Sequence, residues 1–211
     1  MTSTTQRHSN GIDHVTPLTV GKTFPTVSTV RTAGGLLAVG SLAWAVTLFA
    51  VGAASTTPVG AMIGDLGGLA FQLSLLGLLH VQSRTLATGP KRFWKVAFIV
   101  ERVLLGIAIT WSVLHAFAPT LPFLPILDLF WPLSMIGMFV IGVAILVKGH
   151  WQGALRIWPM IAESWAVICV PALAIAGQYV GAWLPGAHLL VGYVTLGILL
   201  AVKPQLTGAT K

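Results

Sequence analysis

Charged residues are scarce in this chain, and acidic residues are the scarcest of them. Asp, Glu, Lys and Arg make up 8% of the 211 residues, with 5 acids against 12 Lys and Arg. Soluble domains carry about 25% charged residues, so the deficit excludes an ordinary water-soluble domain. Cysteine is nearly missing too. Cys169 stands alone, which excludes an intramolecular disulfide and a metal motif built on paired cysteines.

Long apolar runs take the place of the missing charge, and 55% of the residues are hydrophobic. Six runs follow one another, at about 34–54, 60–82, 95–117, 125–148, 157–177 and 183–203. Each has the ~20 residues that a helix needs to cross a ~30 Å hydrocarbon layer. A chain in lipid must form helices or a closed barrel, and these runs lack the alternation of barrel strands. The sequence predicts an all-α, polytopic membrane protein with six transmembrane helices within 33–203.

Lys and Arg are absent from three of the five connections between these runs, around 55–59, 119–125 and 178–182. The loop and tail cations all fall on the opposite side of the predicted bundle: Arg7, Lys22, Arg31, Arg84, Lys91, Arg92, Lys95, Lys148, Arg156, Lys203 and Lys211. Short-loop cations mark the cytoplasmic side. We therefore predict a multi-pass protein of the plasma (inner) membrane, with cytoplasmic tails at 1–32 and 204–211 and a disordered N-terminal tail. Residues 1–32 contain no apolar core of a cleavable signal peptide.

The net charge of +7 is thereby explained by membrane topology and attraction to anionic lipid. The cations are divided among four short segments, which does not favour nucleic-acid binding. The lipid bilayer and a small-molecule or ion ligand are the predicted partners. The sequence does not set the oligomeric state, and a homo-oligomer is among the arrangements it allows.

Four of the five acids lie inside the apolar runs, and the fifth, Asp13, lies in the N-terminal tail. A carboxylate near the bilayer centre costs about 2.5–3.5 kcal/mol, so such residues usually face the bundle interior and serve a function there. With the predicted topology, depth sorts the polar residues into two layers. The outer layer holds Asp65, His115, Asp128 and His188, from four different helices, and the inner layer holds Glu101, Arg102 and Glu163.

The outer layer is predicted to form a ligand or proton site. Imidazole and carboxylate also suit zinc or another first-row metal, but no tight ligand motif such as H-E-x-x-H is present. Hydration at the membrane surface is the structural alternative. Haem held between histidine pairs, His115 with His188 and His80 with His150, is a further alternative. The sequence requires no cofactor or metal.

The inner layer is predicted to be an ion-pair network. Arg102 is the one cation inside a run, and a buried charge needs a partner, which we expect to be Glu163 rather than its neighbour Glu101. The remaining carboxylate would then take up and release protons. The alternative is a static clamp between the third and fifth helices.

Helical phase links the two layers. At about 100° per residue, Asp65 and Gln72 lie about 20° apart and His80 about 60° from Asp65, which predicts one polar stripe on the second helix. Thr195 shares a face with His188 by the same measure. Among the deeper tryptophans, Trp111, Trp131 and Trp165 are predicted to line the same path, where an aromatic face can stabilise a cation.

These features predict a small proton-coupled transporter or a protein that binds an ion or small molecule. A second hypothesis is a membrane-embedded acid–base enzyme acting on a lipid-soluble, isoprenoid- or quinone-like substrate, with Asp65 or Asp128 as general acid. A third is a non-catalytic membrane subunit or sensor. Residue types alone do not decide whether the chain is an enzyme.

Overall fold

The structure is a computed structural model that describes residues 24–53, 55–181 and 183–210. Six stretches are long and apolar enough to cross a membrane: Val27–Val51, Pro58–Arg84, Arg92–Phe117, Leu124–Lys148, Ala154–Ala176 and Leu184–Val202. The described part of the chain contains no strand apart from an isolated bridge between Thr26 and Thr210. The prediction of an all-α chain with six helical stretches of spanning length is therefore confirmed.

Three spans are continuous helices and three are interrupted. The helices are α1 (Val27–Val51), α2 (Pro58–Arg84), α3 (Arg92–Phe117), α4 (Leu124–Asp128), α5 (Phe130–Lys148), α6 (Ala154–Glu163), α7 (Trp165–Ala176), α8 (Gln178–Gly181), α9 (Leu184–Leu189) and α10 (Thr195–Val202). Pro132 explains the break between α4 and α5, because proline has no N–H to donate to the carbonyl of Asp128. Pro171, in contrast, lies within the uninterrupted helix α7.

A π-helical segment, Leu190–Val194, joins α9 to α10. It widens the last span at the level where Trp158 Nε1 donates to the carbonyl oxygen of Val191, at 3.1 Å. The hydroxyl of Thr195 donates to the carbonyl oxygen of Leu190, also at 3.1 Å. Side-chain donors thus satisfy backbone carbonyls where the regular helical bonding pattern changes.

The spans close into a ring: α1 packs on α2, α2 on α3, α3 on α5 and α5 on α6, and the last span returns to α1. The closure is made by two glycines. A Cβ on Gly34 would lie 2.6 Å from the carbonyl oxygen of Gly197 and 2.7 Å from the backbone nitrogen of Ala201. Small residues let membrane helices approach backbone to backbone, and this contact holds the first and last spans together.

The two ends of the described chain meet at one end of the bundle, which we call the terminal face; the opposite end is the far face. Helix α1 begins at Val27, seven residues before the predicted run, because the Thr26 hydroxyl accepts from the N–H of Thr29. Residues 1–23 of the predicted tail lie outside the described residues. The predicted C-terminal tail packs onto the bundle instead of projecting from it: the N–H of Val27 donates to the carbonyl of Thr210 at 2.9 Å, and Thr207 is buried.

Candidate functional site

A cavity of about 340 Å³ opens at the far face, and we call it the far-face pocket. Its volume falls in the range of small-molecule sites, about 300–1,000 Å³. Asp65, His115 and Asp128 line it, together with Gln72, Trp111, Trp131 and Trp165. Three of the four residues predicted for the outer layer therefore come together in one cavity, with the three predicted tryptophans.

An Asp–His pair forms one wall of the far-face pocket. The Oδ2 atom of Asp65 in α2 lies 2.7 Å from Nδ1 of His115 in α3, and the side chains are 12% and 32% exposed. Trp111, one turn earlier in α3, stacks on the imidazole with ring centroids 4.8 Å apart and planes 12° apart. The hydrogen bond and the stacked ring fix the imidazole from two directions, so the pair is a preorganised acid–base group.

Asp128 approaches the same pair from the α4–α5 connection. Its side chain is exposed, and its charge lies close enough to interact with both Asp65 and His115. The break in the span after Asp128 leaves this residue at the mouth of the pocket. Two carboxylates and one imidazole thus face the opening.

Tryptophans build the rest of the wall around Trp44 of α1. The ring of Trp44 lies 5.7 Å from Trp131 and 5.1 Å from Trp165, and it stacks on Phe71 at 5.0 Å. The indole nitrogen of Trp165 donates to the carbonyl of Pro185 at 3.1 Å, which fixes its orientation. Aromatic faces beside carboxylates form the kind of surface that binds organic cations.

Gln72 and Ser112 line the deep part of the pocket. Both are buried, and the Ser112 hydroxyl donates to Gln72 Oε1 at 2.9 Å. This bond uses the amide oxygen of Gln72, so the amide nitrogen can donate to another group. Asp65 and Gln72 thus share one face of α2, as their helical phase predicts.

The remaining predicted lining residues lie elsewhere. His188, placed in the outer layer by depth alone, lies 3.2 Å from the Ser164 hydroxyl and borders a separate groove with Phe139 and Met160. His80 is exposed on the outside of α2, and Thr195 bonds within its own span. The predicted stripe on α2 stops at Gln72, because helical phase places His80 about 60° from Asp65, where it is exposed.

Within residues 24–53, 55–181 and 183–210, no group of three or more His, Cys, Asp or Glu side chains could hold a metal ion. The structure places the histidines considered for haem as follows. His115 and His188 border different cavities, and His80 and His150 are both exposed.

Two further carboxylates are buried between the far-face pocket and the terminal face, each against a glycine of α5. Glu101 of α3 is 2% exposed, accepts a hydrogen bond from Ser134 at 2.6 Å and fills the space beside Gly137. Glu163, at the end of α6, is fully buried, accepts from Gln82 Nε2 at 2.7 Å and fills the space beside Gly142. The two glycines supply the volume that the carboxylates occupy.

These carboxylates form one electrostatic group with a tyrosine. Glu101 and Glu163 are close enough for their charges to interact, and the fully buried Tyr193 interacts with both. Glu163 Oε2 and the Tyr193 hydroxyl are buried without a hydrogen-bond partner among the described residues. We call Glu101, Glu163 and Tyr193 the buried acid group.

Arg102 does not join the buried acid group, and the predicted pair with Glu163 is wrong. Its guanidinium donates to the carbonyls of Phe98 and Leu79, at 3.2 and 3.1 Å, and to the hydroxyl of Ser83. The side chain is long enough to turn toward the terminal face. Neutral acceptors there take the place of the carboxylate.

Three polar residues that contact predicted site residues were not predicted from the sequence. They are Ser112, Ser134 and Gln82. The available signal was a polar residue inside an apolar span. Serine often satisfies its hydroxyl by bonding back to its own helix, as Ser41 does with Leu37. Only tertiary contacts separate the serines that do this from those that bond to another helix.

Comparison of the chain with protein-family models, curated proteins and solved structures found no match.

Proposed function

We propose that the protein binds a small organic cation in the far-face pocket and moves it across the membrane in exchange for protons carried by the buried acid group. The observation that carries the proposal is the Asp65–His115 pair in the wall of a tryptophan-lined cavity. A carboxylate attracts a cation, and the indole faces stabilise it after it loses water.

The buried acid group supports the proton part of the proposal. No ion pair joins either carboxylate to Lys or Arg in the described part of the chain. An ionised carboxylate without a counter-charge is costly inside a membrane, and a carboxyl group that takes up a proton avoids that cost. Because both carboxylates lie against α5, a change in their protonation would alter the packing of α5 on α3 and α6.

Ligand binding tests the first part directly. We expect Asp65→Asn to weaken binding of tetraethylammonium at least tenfold, about 1.4 kcal/mol, because the amide keeps the shape of the side chain and removes its charge. Isothermal titration of the purified protein would measure this.

His80→Asn is the control, since it changes an exposed polar residue of the same helix that does not line the pocket. Its affinity for tetraethylammonium should stay within about twofold of wild type. That change is much smaller than the tenfold loss, about 1.4 kcal/mol, expected for Asp65→Asn. Equal binding by wild type and Asp65→Asn would contradict the proposed cation site.

Orientation is part of the proposal: the terminal face is cytoplasmic, and the far-face pocket opens to the outside of the plasma (inner) membrane. The support is the distribution of Lys and Arg. Once Cys169 has been replaced by alanine, an impermeant thiol reagent added to sealed cells should label cysteines placed at Thr56 and Thr120. It should not label cysteines at Gln152 and Gln205. All four positions are exposed, and the reverse labelling pattern would contradict the orientation.

The Asp65–His115 pair favours one other function, an acid–base enzyme acting on a lipid-soluble substrate. A hydrogen-bonded carboxylate and imidazole at the wall of an apolar cavity could transfer a proton to or from an isoprenoid- or quinone-like molecule. Such a substrate needs no charge. An enzyme of this kind would bind a neutral polyprenol in preference to tetraethylammonium and would not need the buried acid group.

A further inference from the structure

A second cavity lies at the terminal face, on the side of the bundle formed by α2, α3 and the loop between them. It encloses about 310 Å³, and we call it the basic pocket. Arg84, Lys95 and Arg102 line it, with Thr88 and Trp94. None of the described residues that line it is Asp or Glu.

Arg102, in the wall of the basic pocket, has no carboxylate partner among the described residues. Its three hydrogen bonds go to two carbonyls and one hydroxyl, none of which is negatively charged. A guanidinium has five N–H groups, so two remain available for another acceptor. The three bonds hold the guanidinium in place. They leave its positive charge and two of its N–H groups for another partner.

Thr88 supplies a second and independent sign that a ligand binds here. Its side chain is 1% exposed, and its hydroxyl has no hydrogen-bond partner within the described residues although it borders the cavity. Buried hydroxyls are almost always bonded, so an unpartnered one at a cavity wall marks the position of a missing acceptor or donor. The turn that presents it is fixed by the left-handed backbone of Leu86, φ 53°.

We propose that the basic pocket binds the phosphate group of an anionic membrane lipid, with Arg102 and Lys95 contacting the phosphate oxygens and Thr88 donating its hydroxyl. Arginine and hydroxyl donors suit phosphate oxygens, and cationic pockets between membrane helices bind anionic lipid headgroups. Exposed Phe24 and Phe93 at the same level can lie along acyl chains. The proposal is independent of the function of the far-face pocket.

Native mass spectrometry of the detergent-purified full chain would measure binding of phosphatidylglycerol, phosphatidylcholine and inorganic phosphate. Phosphatidylglycerol should bind at least tenfold more tightly than phosphatidylcholine. Lys95→Gln should remove most of this preference, because it loses a positive charge. Thr88→Val should weaken binding of both lipids severalfold and leave the preference unchanged, because both lipids carry the phosphate that the hydroxyl would contact. Lys148→Gln is the control, since it neutralises an exposed lysine outside the basic pocket and should bind as wild type does.

The outcomes separate the sources of the phosphate. Binding of inorganic phosphate without a preference for phosphatidylglycerol would keep the phosphate chemistry and overturn the lipid assignment. Equal retention of both lipids by the wild type, an unchanged preference in Lys95→Gln, or unchanged binding of phosphatidylglycerol by Thr88→Val would overturn the proposal. Both variants leave the bonds of Arg102 intact, so the test does not depend on the packing of that side chain.

Discussion

Replacing Gly34 with alanine is expected to destabilise the protein by about 1–3 kcal/mol, because the added methyl group meets backbone atoms that cannot move aside. The contact is with the carbonyl oxygen of Gly197 and the nitrogen of Ala201, so the first and last spans would have to separate. Thermal unfolding in detergent, followed by tryptophan fluorescence or by retention of the folded monomer on a gel-filtration column, would measure the loss.

Gly35→Ala is the matched control at the next residue of the same helix. A Cβ at Gly35 meets nothing within 4 Å, and alanine favours the helix over glycine by roughly 0.5–1 kcal/mol. This variant should therefore be as stable as wild type or slightly more so. Equal destabilisation by the two substitutions would mean that α1 does not pack on the last span through Gly34.

Replacing Glu163 should give the second large effect on stability, and the effect should differ between alanine and glutamine. Glu163→Ala removes a buried acceptor and strands the amide of Gln82, which costs about 1–3 kcal/mol before the lost packing is counted. Glu163→Gln keeps an oxygen for Gln82 and should remain close to wild type in stability. Unfolding in detergent would compare the two variants.

Proton binding, unlike stability, should be lost equally in the two variants. Both lack the carboxyl group, so both should lose one titrating carboxyl signal in infrared difference spectra recorded between acid and alkaline pH. In liposomes, both should also lose the proton movement that accompanies uptake of tetraethylammonium. An unchanged infrared difference spectrum in Glu163→Gln would show that Glu163 does not exchange its proton, and the proton-coupled part of the proposed function would fail.

The six spans were predictable because hydropathy and length report directly on the solvent around each helix. Their ends were less predictable. Helix α1 extends to Val27 through polar residues, because Thr26 caps it and the C-terminal segment packs beside it. Neither feature produces an apolar run, so a prediction based on hydrophobicity places the start of this helix too late.

The candidate sites were predictable to the extent that helical phase determines them. Asp65 and Gln72 share a face of α2 and line one pocket, as their spacing indicates. Depth was a weaker guide, because residues at one level of a ring can border different cavities, as His115 and His188 do. The partner of Arg102 was beyond sequence reasoning, since a flexible side chain selects among acceptors that only the folded bundle brings within reach.

The π-helical segment Leu190–Val194 has a consequence for how this chain tolerates insertion and deletion. A π-turn behaves as a single residue inserted into an α-helix. Removing one residue there would restore regular winding and rotate α9 by about 100° relative to α10. Pro185, whose carbonyl orients Trp165, would leave the pocket wall, while Gly197 would keep its contact with Gly34. One surplus residue therefore sets the angular register between the part of the last span that shapes the pocket and the part that closes the ring.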